Sequence, residues 1–296
     1  MAKVTERCFE ATGRTTFICD FSPPRAADPQ PLQEAAALDA DFISVNYNPG
    51  KSVRVNSAMF AVAIKQQSGK EVVFTLATRD MNKLALESHL LGAQLLGVEN
   101  VLVVGGDPFT DRELALIKNV NDFKPTGLIS AIAEMNQGLD YRHTRLSAGT
   151  DFCIGACVDL GRGIQQEARL ARRKIQAGAQ FIVTQPVFDP AGADQFRDAY
   201  THIAGEPLTL PVFFGLQVLE RDGVIFSAVP EAVRNALVQG RSGAELALEM
   251  YQRFAQHGIR NIYIVPPIRR GGVRNYAAAK EVLAATRGEF RQRGAP

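Results

Sequence analysis

Three polar side chains stand at or just after the ends of predicted strands, and their types suit a site for a nitrogen heterocycle. Asp20 ends one apolar segment, Asp107 follows two glycines after another, and Gln185 ends a third. A carboxylate accepts hydrogen bonds from ring N–H groups, and an amide both donates and accepts them. If the three strands are parallel in one barrel, these groups lie at the same end of it.

Asp20 is the candidate proton donor. It is followed by Phe21-Ser22-Pro23-Pro24, and a carboxyl group in a barrel mouth would be partly desolvated, which favours its protonated form. A general acid at neutral pH needs that property. The alternative is a loop cap or an ion pair with Arg25, and the sequence alone does not separate the two interpretations.

Asp107 and Gln185 also have two interpretations each. Gly105 and Gly106 let another group approach the backbone closely just before Asp107. Asp107 could therefore face a ring, or it could be an ordinary turn residue before Pro108. Gln185 could hold the edge of a heterocycle, or it could be a core amide bonded to a neighbouring strand end.

The elements that must position these residues follow a repeated pattern. Four segments run from a helical stretch through a small or glycine-containing turn into β-branched residues, ending at Val45, Val104, Val183 and Val265. Such joints are typical of parallel strands with helical crossovers. We predict strands at 15–20, 42–47, 72–76, 101–104, 152–157, 181–185, 211–215 and 262–265, and amphipathic helices over 81–96, 165–177 and 243–257.

Eight strands that alternate with helices predict an α/β fold, a single-domain (β/α)8 TIM barrel over residues 1–296. A doubly wound sheet is the alternative, but no Gly-x-Gly-x-x-Gly motif follows the first strand. Residues 108–150 are a long insertion after the fourth strand, which we expect to act as a lid or cofactor-covering loop. Residues 288–296 are expected to be a loosely ordered tail.

Composition excludes several classes of protein. With 46% hydrophobic residues and a net charge of +2, the chain is ordinary for a globular protein and lacks a general nucleic-acid or membrane-binding surface. It has no signal-peptide pattern and no apolar run long enough to span a membrane. The four cysteines, Cys8, Cys19, Cys153 and Cys157, have no zinc or thioredoxin spacing. We therefore expect buried thiols, no metal site and a cytoplasmic location.

Several motifs taken together resemble the 5,10-methylenetetrahydrofolate reductase family of flavin-dependent (β/α)8 barrels. The segment Asp20-Phe21-Ser22-Pro23-Pro24-Arg25 is similar to the family's acidic-Phe-x-Pro-Pro-Arg motif. The segment from Thr78 to Ala93 is very similar to the third-strand loop and helix of shorter bacterial members. Further blocks match at Gly106-Asp107, Arg173-Lys174, Thr184-Gln185 and Pro266-Pro267, so the resemblance covers about residues 15–280.

The resemblance implies a role for each matching residue. Asp20 aligns with the acid that protonates folate N10 and so opens the five-membered ring to the iminium that accepts hydride. Asp107 aligns with a carboxylate near both flavin and pterin, and Gln185 aligns with the glutamine that holds the pterin. The implied cofactor contacts are Asn46, Thr75, Gly105, Gly106, Asp107, Ala156, Arg173 and Lys174.

Four positions differ from the family pattern. Asp20 replaces the usual Glu and is shorter by roughly 1.5 Å, and a misplacement of about 1 Å can cost on the order of 100-fold in rate. Thr75 stands where the family has His beside the flavin, and Asn46 stands where it has Thr. The fifth-strand loop is Ala156-Cys157-Val158-Asp159 instead of a polar or aromatic segment. These differences concern cofactor contacts, so the choice among FAD, FMN and weak flavin binding stays open.

We predict an oxidoreductase that interconverts 5,10-methylenetetrahydrofolate and 5-methyltetrahydrofolate, or a close pterin analogue, in one-carbon metabolism and methionine biosynthesis. FAD is the expected cofactor and FMN the alternative, because the flavin would carry the hydride. NAD(P)H or a partner electron-transfer subunit would supply electrons, and the oligomeric state is open. Two alternatives remain: a pterin-binding component of a larger one-carbon complex, and a barrel lyase of another class.

Overall fold

The structure, a computed structural model, describes residues 2–11, 13–224, 228–269 and 272–293. Eight parallel strands pair in sequence order, and β8 pairs back with β1, so the sheet closes into a barrel. The strands are β1 (Thr16–Phe21), β2 (Phe42–Val45), β3 (Glu71–Ala77), β4 (Asn100–Val104), β5 (Cys153–Val158), β6 (Phe181–Pro186), β7 (Val212–Gln217) and β8 (Asn261–Val265).

Helices precede the barrel and connect its strands. They are α1 (Val4–Glu10), α2 (Gln30–Ala36), α3 (Ser57–Ser68), α4 (Lys83–Leu95), α5 (Asp111–Leu114), α6 (Pro125–Asn136), α7 (Ile164–Gln176), α8 (Ala191–Ala204), α9 (Glu231–Val238), α10 (Gly243–Gln256) and α11 (Tyr276–Arg293). Short 3-10 turns follow β2 at Pro49–Lys51 and β5 at Leu160–Arg162.

Local sequence signals explain several helix ends. The side chains of Asn56 and Asn82 accept backbone N–H groups in the first turns of α3 and α4. Ser242 begins α10 with a capping box completed by Glu245. These caps satisfy N–H groups that have no intrahelical partner. Gly69 ends α3 at a φ of +67°, a left-handed conformation that glycine adopts without strain.

Alternate residues of the strands fill the barrel interior, and the others face the helices. The interior cluster includes Ile18, Phe42, Val73, Leu102, Phe181 and Phe213. Val4 of α1 packs against this cluster, and its N–H donates to Oδ1 of Asn100 at 3.0 Å, so α1 covers the N-terminal end of the barrel. A Cβ on Gly155 would lie 2.3 Å from the Phe181 ring, which shows how tightly the interior is filled. A ligand site in this barrel is therefore expected where the strands end.

The predicted barrel is confirmed, and the doubly wound alternative is wrong because the sheet is closed. All eight predicted strands overlap observed ones, and their ends differ by no more than two residues. The stretch 108–150 contains α5 and the regular crossover helix α6, and its role as a lid stays a prediction. Helix α11 continues to Arg293, whereas residues 294–296 of the expected tail lie outside the described residues.

The cysteines are free thiols on both sides of the sheet. Cys153 and Cys157 contact the interior cluster, as their spacing within one strand predicted, and Cys19 lies in the outer core. Burial raises the pKa of Cys8 to about 12 and that of Cys157 to about 11, so both are uncharged at neutral pH. Within the described ranges, no group of three or more His, Cys, Asp or Glu could hold a metal ion. In the same ranges, no helix has the length and apolar character needed to cross a bilayer.

Candidate functional site

Asp20 lies inside the mouth of the barrel, where it is almost completely buried. It is the fifth residue of β1, and its relative exposure is 3%. Its Oδ1 accepts hydrogen bonds from Asn46 Nδ2 and, at 3.1 Å, from the hydroxyl of Tyr263. Asp20 on β1 is in register with Ser44 on β2, two residues before Asn46. The pairing of these neighbouring strands therefore brings Asn46 close to Asp20.

Tyr263 is a polar residue of the barrel interior that sequence reasoning missed. It lies on β8, and its hydroxyl oxygen is also 3.3 Å from Ser44 Oγ. Burial, and then the charge of Asp20, raise the pKa of Tyr263 well above its usual value, so the phenol stays protonated. A tyrosine between Ile262 and Ile264 in the predicted strand was the signal that could have indicated it.

Arg274 is the second missed residue, and it forms a buried ion pair with Asp20. Its Nη2 is 2.9 Å from Oδ2 of Asp20, and the side chains are 7% and 4% exposed. The Nε of Arg274 donates to Ser22 Oγ at 3.0 Å. The ion pair considered for Asp20 from sequence therefore exists, but its cation is Arg274, whereas Arg25 is exposed. Removing one partner of such a pair typically costs about 3–5 kcal/mol of stability.

The loop that carries Arg274 is linked to the loop after β7. Arg269 donates two hydrogen bonds of 2.9 Å to the carboxylate of Glu220. Asn275, directly after Arg274, donates to Oε1 of the same carboxylate at 2.5 Å. Hydrogen bonds from Arg269 and Asn275 lower the pKa of Glu220. Glu220 therefore fixes the position from which Arg274 reaches Asp20.

Two buried polar atoms near the strand ends have no hydrogen-bond partner among the described residues. They are Oγ1 of Thr75 on β3 and Oε1 of Gln217 on β7, in residues that are 5% and 4% exposed. Nη1 of Arg274 is a third such atom. Buried polar groups are nearly always paired, so unpaired ones at a strand end indicate a place where a polar ligand fits.

Asp107 lies at the rim, next to Arg79, whose side chain is held by three contacts. Arg79 is bonded through Nε to Asp80 at 2.6 Å, donates to the backbone oxygen of Asp107 at 2.7 Å, and stacks on the Phe109 ring at 4.1 Å. Gly106, at a φ of +81°, lies against Arg79, because an added Cβ would be 3.1 Å from that of Arg79. This leaves the side chain of Asp107 exposed beyond β4.

Gln185 is exposed at the rim on β6, where the strand is irregular. The register of β6 with β7 shifts between Val183 and Pro186. Gly215 on β7 allows this close approach, because an added Cβ would lie 2.7 Å from the carbonyl carbon of Gln185. Asp20, Asp107 and Gln185 therefore all lie at the C-terminal end of the barrel, the first buried and the other two exposed.

Three predicted cofactor contacts lie on the outer side of the sheet or on α7, and not inside the barrel mouth. Ala156 is fully buried in the outer core between sheet and helices. Arg173 and Lys174 occupy the last turn of α7, which runs from the mouth back to the opposite end. Arg173 is exposed, and Lys174 Nζ donates to the backbone oxygen of Cys157. Burial lowers the pKa of Lys174, as expected for an ammonium group packed between helix and strand.

An ion pair joins the loops after β2 and β4. Lys51 Nζ lies 2.7 Å from Oε2 of Glu113 in α5 and 3.3 Å from the backbone oxygen of Pro108. Lys51 and Thr110 lower the pKa of Glu113 to about 2. The start of the 108–150 stretch is therefore held across the rim of the mouth.

A cavity of about 510 Å³ lies at the opposite end of the barrel. Its lining includes Arg14, Asp41 and Arg287, which pair with one another: Asp41 accepts from Arg14 at 2.8 Å and from Arg287 at 2.6 Å. Oppositely charged side chains that pair with each other at the N-terminal face of a barrel indicate a role in stability. The candidate site is the mouth, and not this cavity.

Comparison with known proteins gives a family match over most of the chain. The methylenetetrahydrofolate reductase family model matches residues 5–266. Methylenetetrahydrofolate reductase 1 of Schizosaccharomyces pombe is 21% identical over 247 residues, which are 75% of this chain and 38% of that protein. The 5,10-methylenetetrahydrofolate reductase of Pectobacterium carotovorum is 23% identical over 197 residues, 64% of this chain and 60% of that protein. The chain thus spans less than two thirds of the length of these curated relatives.

Solved structures with the same fold are also similar. A Clostridium thermocellum protein that binds two copies of 5-methyl-5,6,7,8-tetrahydrofolic acid has a TM-score of 0.64 at 14% identity, covering 94% of this chain and 99% of that chain. A 2,3-dimethylmalate lyase has a TM-score of 0.52 at 14% identity, covering 100% and 90%. At these identities the likeness shows the fold alone. The family match over most of the chain goes further, and the chain belongs to the methylenetetrahydrofolate reductase family.

Proposed function

We propose that this protein is a flavin-dependent reductase that interconverts 5,10-methylenetetrahydrofolate and 5-methyltetrahydrofolate. The observation that carries the proposal is the position of Asp20: a carboxyl group buried in the barrel mouth of a chain from this family. A close pterin analogue would use the same groups. From this proposal we expect the enzyme to act in one-carbon metabolism and methionine biosynthesis, in the cytoplasm.

The unpaired polar atoms of the mouth support a bound heteroaromatic ring. Thr75 Oγ1 and Gln217 Oε1 are buried without partners among the described residues, and both could bond a ring edge. When bound, a flavin would accept and return the hydride. Asn46, Thr75, Gly105, Gly106 and Asp107 are the residues proposed to hold it.

Three side chains are assigned to the folate. Asp20 is proposed to place a proton on N10, and Asp107 and Gln185 are proposed to bind the pterin from the exposed rim. The stretch 108–150, linked at its start to Lys51 by Glu113, is proposed to cover the bound molecules. Excluding water there would strengthen the polar contacts inside.

A second candidate function is a pterin-binding barrel with weak or no flavin binding. The specific observation in its favour is the placement of Ala156, Arg173 and Lys174, three family flavin positions that lie outside the barrel wall. Such a protein would act within a larger one-carbon complex. The oligomeric state and a partner electron-transfer subunit belong to the same open question.

Titration with FAD and FMN, followed by anaerobic reduction, tests the proposal. A flavoprotein that is bleached by NADH or NADPH and recoloured by 5,10-methylenetetrahydrofolate supports the reductase. A protein that binds neither flavin but binds folate supports the second candidate. Binding of neither flavin nor folate contradicts both.

A further inference from the structure

Three neighbouring loops give one side of the barrel mouth an excess of positive charge. They follow β8, β1 and β2, which pair side by side in the closed sheet. Residues 22–29, 46–56 and 266–275 together contain six basic residues and one acidic residue. Residues 105–124, after β4, contain four acidic and three basic residues. The charge of the mouth is therefore asymmetric, and the β8–β1–β2 side attracts anions.

Three basic side chains of these loops are neutralised by carboxylates. The pairs are Arg274 with Asp20, Arg269 with Glu220, and Lys51 with Glu113. The acidic residue of the three loops, Asp28, accepts the backbone N–H of Gln30 at 2.9 Å and forms no ion pair with the described residues. Arg25 and Arg54 are thus left without a carboxylate partner in the part of the chain that the structure describes.

Arg54 is half-buried and bonds only neutral acceptors. Its Nη1 donates to the backbone oxygen of Pro23 at 2.8 Å, and its Nε donates to Ser52 Oγ at 3.2 Å. Its Nη2 has no hydrogen-bond partner among the described residues. A Cβ on Gly272 would lie 2.9 Å from this Nη2, so the glycine leaves free the space that a side chain would fill. The guanidinium is held in place with one donor still available.

Arg25 supplies the second unneutralised charge. It is exposed and has no hydrogen bond or ion pair with another described residue. Burial, and then the charge of Arg25, lower the pKa of Arg54, and the charge of Arg274 lowers it further. Positive charges held this close repel one another, and an anion placed between them would remove that repulsion.

We propose that Arg25 and Arg54 form an anion-binding subsite on the β8–β1–β2 side of the mouth, which takes the negatively charged end of a ligand whose ring lies over the strand ends. A guanidinium donates well to the oxygens of a carboxylate or a phosphate. Two ligands of the proposed reaction offer such oxygens: the folate through its glutamate, and the flavin through its phosphate. Their use of the subsite rests on the proposed function, whereas anion binding by the two arginines does not.

Inorganic pyrophosphate tests the subsite without reference to any reaction. Isothermal titration calorimetry at low salt should detect its binding to the unaltered protein, and high salt should weaken it. Arg25→Met and Arg54→Met should each lower the affinity about 5- to 10-fold, as expected for one charge-assisted contact at a partly exposed site. Because Arg25 is exposed and without contacts, its variant should fold normally.

Arg169→Met is the matched control. Arg169 is an exposed arginine of α7 that has no ion pair with the described residues, so its replacement removes the same charge at a distance from these loops. This variant should bind pyrophosphate like the unaltered protein. Absence of binding at low salt, or equal affinity in the unaltered protein, Arg25→Met and Arg54→Met, overturns the proposal.

Two pairs of ligands then identify the source of the anion. Folate and pteroate differ by the glutamate, and FMN and riboflavin differ by the phosphate. If the folate occupies the subsite, Arg25→Met and Arg54→Met should reduce the preference for folate over pteroate about 5- to 10-fold and leave the preference for FMN over riboflavin unchanged. If the flavin phosphate occupies it, the opposite pattern is expected.

The same titrations keep this proposal separate from the proposed function. A protein that binds these ligands but shows neither change of preference in the two variants overturns the subsite. A protein that binds neither folate nor flavin contradicts the proposed function, while the pyrophosphate titration still decides whether Arg25 and Arg54 bind an anion.

Discussion

The hydroxyl of Tyr263 donates to Oδ1 of Asp20 at 3.1 Å, although the two residues lie on the last and first strands of the sequence. The contact exists because β8 pairs with β1 and closes the barrel, with Ile18 in register with Tyr263. The pairing of β8 with β1 therefore also orients the side chain of Asp20, the candidate acid. Mutations at this contact should affect stability and chemistry together.

Tyr263→Phe removes that donor and keeps the ring. A hydrogen bond to a charged group contributes about 1.5–3 kcal/mol, so the free energy of unfolding should fall by that amount. The folate half-reaction should also slow. Tyr251→Phe is the matched control, because its hydroxyl pairs with Thr15 at 3.0 Å at the opposite end. Denaturant unfolding and stopped-flow kinetics measure both effects, and equal behaviour of the two variants would contradict the prediction.

Asp20→Asn should abolish reduction of 5,10-methylenetetrahydrofolate and leave reduction of the flavin by NAD(P)H near normal. The amide keeps the shape of the side chain but has no proton to give to N10. Asp41→Asn is the control, since Asp41 is also a buried aspartate paired with arginines, but at the far end. It should lower stability and spare both half-reactions. An equal loss of both half-reactions in Asp20→Asn would mean that Asp20 is structural.

Gly215→Ala should displace the Gln185 backbone, because the new Cβ would lie 2.7 Å from the carbonyl carbon. Overpacking of this kind costs about 1–3 kcal/mol of stability. We expect weaker pterin binding as well, measured by fluorescence titration with folate. Gly92→Ala in α4 is the control, since nothing lies within 4 Å of its added Cβ, and alanine there should stabilise the helix by about 0.5–1 kcal/mol. A Gly215→Ala protein with unchanged stability and affinity would contradict the proposed role of Gln185.

The link between Lys51 and Glu113 should depend on pH. The pKa of Glu113 is lowered from its ordinary 4.5 to about 2, so the link is complete above pH 4.5 and is lost as the pH falls through 2. Hydrogen exchange over residues 108–120, corrected for the intrinsic effect of pH, measures the loosening. Lys51→Met should speed exchange at neutral pH, and its difference from the unaltered protein should disappear in acid. The effect should weaken in high salt, because exposed charges are screened.

A distant ion pair provides the comparison for that experiment. Arg241 pairs with Glu249 beyond β7, so Arg241→Met removes a similar exposed pair without touching the segment. It should leave exchange over residues 108–120 unchanged. Equal exchange in Lys51→Met and the unaltered protein at neutral pH would show that the loop does not depend on Lys51.

The barrel was predictable because strand ends and helix-to-strand turns are local signals. Asp20 and Asn46 could be assigned to one site for the same reason, since parallel strands bring their final residues to one edge. Arg274 could not be found this way. It stands in the loop beyond β8, and its reach to Asp20 depends on how Glu220 holds that loop.

The basic pair on α7 shows what a sequence match alone does not determine. Arg173 and Lys174 match the family by sequence. Which side of α7 each side chain leaves from, and the direction in which α7 runs, decide whether it faces the sheet or the solvent. Lys174 is buried against β5 because its position in the last turn faces the sheet, and its Nζ bonds a backbone oxygen there. Charge alone in a sequence does not show which face of a helix carries it.

The aromatic filling of the cylinder has a kinetic consequence. Phe42, Phe181 and Phe213 occupy the space between the two ends, with α1 across the far side, so no molecule passes through the middle. For the proposed reductase, the nicotinamide and the folate would therefore both enter from the C-terminal end of the barrel. If they bind in turn at one face of the flavin, we expect ping-pong kinetics, in which the oxidised nicotinamide leaves before the folate binds.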